Sequence, residues 1–120
     1  MGRQVLIVDD NDAFRAAARQ LLERGGFVVV AEAGDGAAGM RAAKEHAPDV
    51  VILDVQLPDV DGFEVAEQLR TLDLAPTVIL TSSLDGADFG ALVARSSALG
   101  FVPKSELSAQ AIKALLAATR

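Results

Sequence analysis

The chain has 120 residues, of which 51% are apolar, so we expect a single domain over 1–120 with a substantial core. A net charge of −6, with only 11 Lys and Arg residues spread thinly, argues against direct nucleic-acid binding by this domain. No apolar run approaches the roughly 18 residues that a membrane span needs, and no signal-peptide pattern opens the sequence. We therefore expect a cytoplasmic protein with no membrane partner. The absence of cysteine excludes disulfides and Cys–metal sites.

Five short apolar runs rich in β-branched residues predict five strands. These runs are Val5–Val8, Phe27–Val30, Val50–Leu53, Thr77–Leu80 and Gly100–Val102. They are continuously apolar rather than alternating, which is typical of strands that are covered on both faces. The stretches between them are long enough for helices that connect one parallel strand to the next.

Capping residues and glycines indicate where several of these helices begin and end. Gly25 and Gly26 predict the end of the first helix, because glycine readily adopts the left-handed backbone conformation that often terminates a helix. Asp61 followed by Glu64 predicts the start of the third helix, and Ser108 predicts the start of the last. Five consecutive strand–helix units indicate an α/β fold with a five-stranded parallel sheet, doubly wound, in three layers.

Polar residues follow four of the five predicted strands. Asp9 and Asp10 follow the first strand, Asp54 the third, Thr81 the fourth and Lys104 the fifth. Because the ligand crevice of such a sheet lies beyond the carboxyl ends of its strands, we expect these side chains to meet there. Turn chemistry alone accounts for any one of them, but hardly for the set. The second strand has no comparable group, which an edge position would explain.

The three carboxylates would repel one another if nothing neutralised them. Two unit charges about 4 Å apart interact by roughly 4 kcal/mol at an effective dielectric of 20. Mg²⁺ resolves such a cluster, because it prefers oxygen ligands and needs only one or two carboxylates. Asp54 beside Mg²⁺ could then attack phosphorus, with Lys104 and Thr81 binding other phosphoryl oxygens.

Four motifs in register give the chain a family resemblance over essentially its whole length. They are VLIVDDND, VVILDVQLPDVDG, TVILTSS and GFVPK. Together they closely resemble the receiver domain of two-component response regulators. The resemblance implies a flavodoxin-like fold and a Mg²⁺-dependent phosphoacceptor aspartate. It also implies a sensor histidine kinase as phosphoryl donor, and a downstream effector domain or partner protein as the output. A phosphorylation-dependent homodimer is a further partner to test.

By position, the resemblance assigns roles to the acidic residues. Asp54 looks like the phosphoacceptor and a metal ligand. Asp10 looks like a direct metal ligand, and Asp9 binds the metal directly or through water. The backbone carbonyl of Gln56 would complete the protein's share of the coordination.

The same resemblance assigns roles beyond the acids. Thr81 and Lys104 match residues that contact the phosphoryl group. Phe101 matches an aromatic switch position, so we expect its ring to move inward when Thr81 engages phosphate. That change would alter the face formed by the fourth helix, the fifth strand and the fifth helix. Ser82 departs from the smaller residue found in many members at that position, and could restrict access to Asp54.

Two other functions are compatible with this type of fold. A Mg²⁺-dependent phosphohydrolase could use Asp54 as a transient nucleophile, although Gln56 stands where haloacid-dehalogenase-type phosphatases have a second acid. A flavin-binding module is less favoured, because the chain has no Trp or Tyr to stack on the ring and no Gly-rich phosphate loop. We therefore expect a phosphoacceptor switch rather than an enzyme, limited to self-phosphorylation from small donors and autodephosphorylation.

Overall fold

A computed structural model describes residues 2–83 and 90–118. Strands and helices alternate along the chain, and a short 3₁₀ turn, Lys104–Glu106, follows the last strand. The elements are β1 (Gln4–Val8), α1 (Asp12–Arg24), β2 (Val28–Ala33), α2 (Gly36–His46), β3 (Val50–Asp54), α3 (Gly62–Arg70), β4 (Thr77–Ser82), α4 (Gly90–Arg95), β5 (Gly100–Pro103) and α5 (Ala109–Ala117). Part of the predicted fourth helical segment, 84–89, lies outside the described residues. Within the described ranges, no helix has the length and apolarity to cross a membrane.

The five strands form one parallel sheet in the order β2-β1-β3-β4-β5. This arrangement confirms the predicted fold class. The chain moves outward from β1 to β2, returns to β3 on the other side of β1, and then proceeds to β4 and β5. The reversal therefore lies between β1 and β3, where a doubly wound sheet opens its ligand crevice. The edge position expected for the second strand is also confirmed.

All five strands extend by one to three residues beyond the apolar runs that predicted them. Asp54 and Thr81 were expected just after their strands, but each is still paired within the sheet and the two are directly opposite each other. The second strand was expected over Phe27–Val30 and instead runs to Ala33. Its pairing with β1 shifts register after Val5, which brings later residues of β2 opposite the end of β1.

The two faces of the sheet bury separate clusters of apolar side chains. Val5 and Ile7 of β1 pack in the cluster that includes α1 and α5. Leu6 and Val8 point the other way and pack in the cluster that includes α2 and α3, with Val93 of α4 against it. Alternate side chains of a strand face opposite sides, so a continuously apolar strand is buried by helices on both faces.

Short polar side chains cap four of the helices. Asp61 and Ser108 accept hydrogen bonds from backbone amides in the first turns of α3 and α5, as predicted. Asn11 and Asp35 do the same for α1 and α2. Gly26, at φ +95°, supplies the left-handed residue expected after α1.

Gly62 brings the start of α3 against the end of β3. A Cβ atom on this residue would lie 2.2 Å from the carbonyl oxygen of Asp54 and 2.7 Å from the Cα of Val55. Its amide also donates to the carbonyl of Val55 at 2.8 Å. Backbone cannot move aside as a flexible side chain can, so only glycine fits here.

Replacing Gly62 by alanine should therefore destabilise the fold by about 2 kcal/mol or more, because the new methyl group forces β3 and α3 apart. Gly90→Ala is the matched control: its Cβ would meet no atom of residues 2–83 and 90–118 within 4 Å, and alanine favours helix by up to about 1 kcal/mol. Urea unfolding of both variants measures the difference. Equal effects of the two substitutions would contradict the close approach at Gly62.

Candidate functional site

Three carboxylates meet at the carboxyl edge of the sheet, beside the strand reversal. Asp9 and Asp10 follow β1, and Asp54 is the last residue of the neighbouring β3. Each offers an oxygen that lies within 4.8 Å of those of the other two. Asp9 and Asp54 are buried, whereas Asp10 is exposed. The structure thus brings together the acids that the sequence placed at separate strand ends.

Lys104 bridges the two buried carboxylates. Its Nζ lies 2.7 Å from Asp9 Oδ2 and 3.2 Å from Asp54 Oδ2, and only 18% of its side chain is exposed. It begins the turn after β5, so its side chain extends past β4 to reach the two central strands. One cation therefore opposes part of the charge of the acidic cluster.

Thr81 lies directly opposite Asp54 in the β3–β4 pairing and is completely buried. Its Oγ1 has no hydrogen-bond partner within residues 2–83 and 90–118. A buried hydroxyl without a partner costs about 1–3 kcal/mol, so native structures seldom keep one without a reason. A ligand oxygen bound next to Asp54 would supply the missing partner.

Burial raises the pKa of Asp54, and repulsion from Asp9 raises it further. The backbone amide of Gln56 donates a hydrogen bond to Asp54 Oδ1 at 3.0 Å, and this bond and the charge of Lys104 each lower the pKa of Asp54. They offset the increase only in part, so the net shift of the pKa is upward. For Lys104, burial acts to lower the pKa, but the contacts with Asp9 and Asp54 outweigh burial and raise it. The site therefore favours a charged lysine and resists the ionisation of Asp54 until more positive charge arrives.

Mg²⁺ fits the donors that this edge presents. The available ligands are carboxylate oxygens, one of them exposed, which suits a hard cation that keeps several of its waters. Burial is the main cause of the raised pKa of Asp54, with repulsion from Asp9 adding to it, and a cation bound beside this carboxyl would favour its ionised form. Asp9, Asp10 and Asp54 are the residues that could hold the ion, with the carbonyl of Gln56 as the predicted fourth ligand.

The loop between β3 and α3 is anchored to the start of α2. Asp59 accepts hydrogen bonds from the amides of Gly36 at 2.8 Å and Ala37 at 3.0 Å, which lower the pKa of the Asp59 carboxyl. Gln56 also forms an isolated bridge with Asp61 within this loop. The loop that contains Gln56, whose carbonyl is the predicted ligand, is thus held by the hydrogen bonds to α2 and by the bridge to Asp61. Sequence reasoning missed Asp59, because aspartate is a common turn residue and its position in a loop carries no distinguishing pattern.

Arg15 holds the loop between β1 and α1. Its guanidinium donates to the backbone carbonyl of Asp9, and its Nε lies 3.2 Å from Glu32 on β2. Arg19 binds the same Glu32 at 2.7 Å. The backbone amide of Asn11 donates a hydrogen bond to Asp9 Oδ1 at 2.9 Å. Nothing in the sequence pattern distinguished these arginines from other exposed helical residues.

Two aromatic residues lie near the site, and the sequence singled out only one as functional. Phe101 on β5 is half-buried and packs against the cluster that includes α2 and α3. In the sequence, Phe14 shows only the spacing of an apolar residue on one face of the first helix, together with Ala18 and Leu22. Phe14 packs against the cluster that includes α1 and α5, and the ammonium of Lys104 also lies over its ring, 4.7 Å from the centroid.

Comparisons with known proteins agree with this arrangement. The family model described as the response regulator receiver domain matches residues 5–117. A protein named "Putative transcriptional regulator" from Pseudomonas aeruginosa is 41% identical over 117 residues, covering 95% of this chain and 56% of that protein. Chemotaxis protein CheY from Bacillus subtilis is 36% identical over 84 residues, covering 70% of each chain. The chain spans about half the length of the first of these relatives.

Solved structures show the same fold. A two-component response regulator of the LuxR family from Aurantimonas sp. SI85-9A1 has a TM-score of 0.87 and 34% identity, covering 100% of this chain and 89% of that chain. The receiver domain of NarL from Mycobacterium tuberculosis has a TM-score of 0.86 and 34% identity, covering 97% and 94% of the two chains. The predicted flavodoxin-like architecture is therefore confirmed.

Asp54 at the end of β3 and Asp59 in the following loop have pKa values shifted in opposite directions, so the two carboxyls should affect stability in opposite directions. The pKa of Asp54 is raised above its ordinary 3.8, so its ionised form costs stability at neutral pH, and the cost disappears as the pH falls below 3.8. Without divalent cations, Asp54→Asn should therefore raise the urea midpoint at pH 7, with a difference that shrinks on acidification.

Asp59→Asn is the matched control with the opposite sign. The lowered pKa of Asp59 means that its charge contributes stability above 3.8, which is lost as the pH falls through the folded pKa. This variant should lower the midpoint at pH 7 and approach the native chain in acid. If Asp54→Asn were the less stable of the two variants at pH 7 in EDTA, the predicted signs would be wrong.

Proposed function

Because this chain belongs to the response regulator receiver domain family, we propose that it is a phosphorylation-dependent signalling switch of a two-component system. In this proposal Asp54 accepts a phosphoryl group from a sensor histidine kinase in the cytoplasm. The observation that carries it is the buried, unpartnered hydroxyl of Thr81 directly opposite a buried carboxylate that Lys104 already contacts. In this proposal, a phosphoryl group on Asp54 would accept a hydrogen bond from Thr81 and bind the ammonium of Lys104.

In the transfer, a carboxylate oxygen of Asp54 attacks phosphorus as the bond from phosphorus to the kinase imidazole nitrogen breaks. The electron pair of that bond leaves with the imidazole, which recovers a proton from solvent. Asp54 must be ionised to attack, and Lys104 favours that form by its contact at 3.2 Å. Mg²⁺, held by Asp9, Asp10, Asp54 and the Gln56 carbonyl, would supply positive charge to neutralise the phosphoryl oxygens.

The acyl phosphate then changes the partners of two side chains. The Thr81 hydroxyl donates to a phosphoryl oxygen and so gains its missing hydrogen bond. Lys104 binds a second oxygen in place of part of its contact with Asp9. Both residues lie at the ends of β4 and β5, so their shifts bias the face formed by α4, β5 and α5, with Phe101 repacking on β5.

The output passes to a protein or effector domain that binds one state of this face better than the other. A second copy of the chain is one such partner. The names of several relatives describe transcriptional regulators, so we propose a transcriptional output for the whole protein. The phosphohydrolase alternative gains no support, because Gln56 rather than an acid stands two residues after Asp54.

Incubation with acetyl phosphate and Mg²⁺ should add one phosphoryl group to the chain, measured as a mass increase of the intact protein. Asp54→Asn should abolish it, because the amide nitrogen and oxygen are poor nucleophiles toward phosphorus. Asp59→Asn removes a loop carboxylate that is not part of the acidic cluster, so this variant should still be labelled. Labelling that persists in Asp54→Asn would reassign the acceptor and defeat the proposal.

Thr81→Val should separate the resting state from the phosphorylated one. Valine has nearly the same shape and removes an unpaired buried hydroxyl, so the unphosphorylated chain should be unchanged or more stable by about 1 kcal/mol. The stabilisation gained on phosphorylation should fall, because valine cannot donate to the phosphoryl group. Thr81→Ser, which keeps the hydroxyl, is the control. The comparison is made by urea unfolding with and without beryllofluoride and Mg²⁺, and an equal gain in the valine and serine variants would remove the role assigned to the hydroxyl.

A further inference from the structure

The aromatic ring of Phe14 lies under the ammonium group of Lys104. The distance from Nζ to the ring centroid is 4.7 Å, within the range of a cation–π interaction. Phe14 is in the first turn of α1, where its amide donates to the Asn11 side chain at 2.9 Å. We propose that Phe14 is a positioning residue for Lys104 in phosphoryl transfer to Asp54, an inference that rests on the proposed function.

Within the described part of the chain, Lys104 has attractive contacts with Asp9, Asp54 and Phe14, and the first two change during the proposed reaction. Asp9, 2.7 Å away, is a predicted metal ligand, so an arriving cation competes for its oxygen. Asp54, 3.2 Å away, becomes an acyl phosphate. Of these three contacts, only the ring of Phe14 keeps its charge distribution throughout. It therefore holds the ammonium beside Asp54 while the carboxylates exchange partners.

An aliphatic side chain could fill the same space but could not provide this contact. The face of a phenyl ring carries partial negative charge, which attracts a cation, and the attraction strengthens as water is excluded. The Lys104 side chain is only 18% exposed, so its ammonium is partly shielded from water. Phe14 also packs against the cluster that includes α1 and α5, and truncating it would destabilise the fold for reasons unrelated to Lys104.

The test must therefore change the charge on the ring face while keeping its shape. Phenylalanine at position 14 is replaced by its 4-fluoro, 3,5-difluoro and 3,4,5-trifluoro analogues, because fluorine withdraws electron density from the ring face. Phosphorylation by acetyl phosphate is followed by intact mass at saturating Mg²⁺. The rate should fall stepwise along the series, by about two- to tenfold in total, with little change in melting temperature.

Two controls isolate the contact. The same analogues at Phe27, whose ring lies 6.0 Å from Lys113 and packs in the core beneath the sheet, should leave the rate unchanged. In a Lys104→Met background, the series at Phe14 should be flat, because no cation remains over the ring.

The role of Phe14 would be overturned if the phosphorylation rate did not change along the analogue series in the native chain, or if it fell equally in the Lys104→Met variant. If the native chain is labelled at Asp54 while the series is flat, only the Phe14 inference fails and the proposed function stands. If the native chain accepts no phosphoryl group from acetyl phosphate and Asp54→Asn behaves identically, both fail together.

Discussion

Repulsion between acids on adjacent strands is the constraint around which the functional edge of this molecule is organised. The parallel sheet ends β1 and β3 side by side, so Asp9 and Asp54 are buried close together. Burial strengthens the repulsion, since charges interact more strongly where water is excluded. Lys104 offsets part of it from the far side of β4. One lysine thus opposes the two buried carboxylates, and in the proposed function the same ammonium binds the phosphoryl group while a divalent cation offsets the remaining negative charge.

Much of this arrangement could be predicted because it follows from periodicity and topology. Continuous apolar runs indicated strands buried on both faces, and parallel strands must bring their carboxyl ends to one edge. The extents were less accurate, since polarity ended the predicted strands before Asp54 and Thr81 although the backbone pairing continues. These extensions of one residue in β3 and two in β4 matter, because pairing within the sheet is what places Thr81 directly opposite Asp54 rather than in a loop beside it.

The contacts that support the site could not be predicted, because each depends on where the fold places a side chain, which the residue pattern alone does not show. Asp59 is one acid among many until the structure shows that it accepts hydrogen bonds from two backbone amides at the start of α2. Arg15 resembles any arginine on a helix until it is seen to bind the carbonyl of Asp9. Phe14 has the apolar spacing of a core residue and is one, so its second contact with Lys104 leaves no trace in that spacing.

The edges of the sheet have a consequence for how copies of this chain behave when crowded. At one edge, Glu32 of β2 is held by Arg15 and Arg19 from the overlying helix. At the other, β5 is only four residues long and ends in Pro103, which has no amide hydrogen to offer a neighbour. Charge, brevity and proline all disfavour the addition of a foreign strand. Amyloid-like stacking of copies through the sheet edges is thereby discouraged.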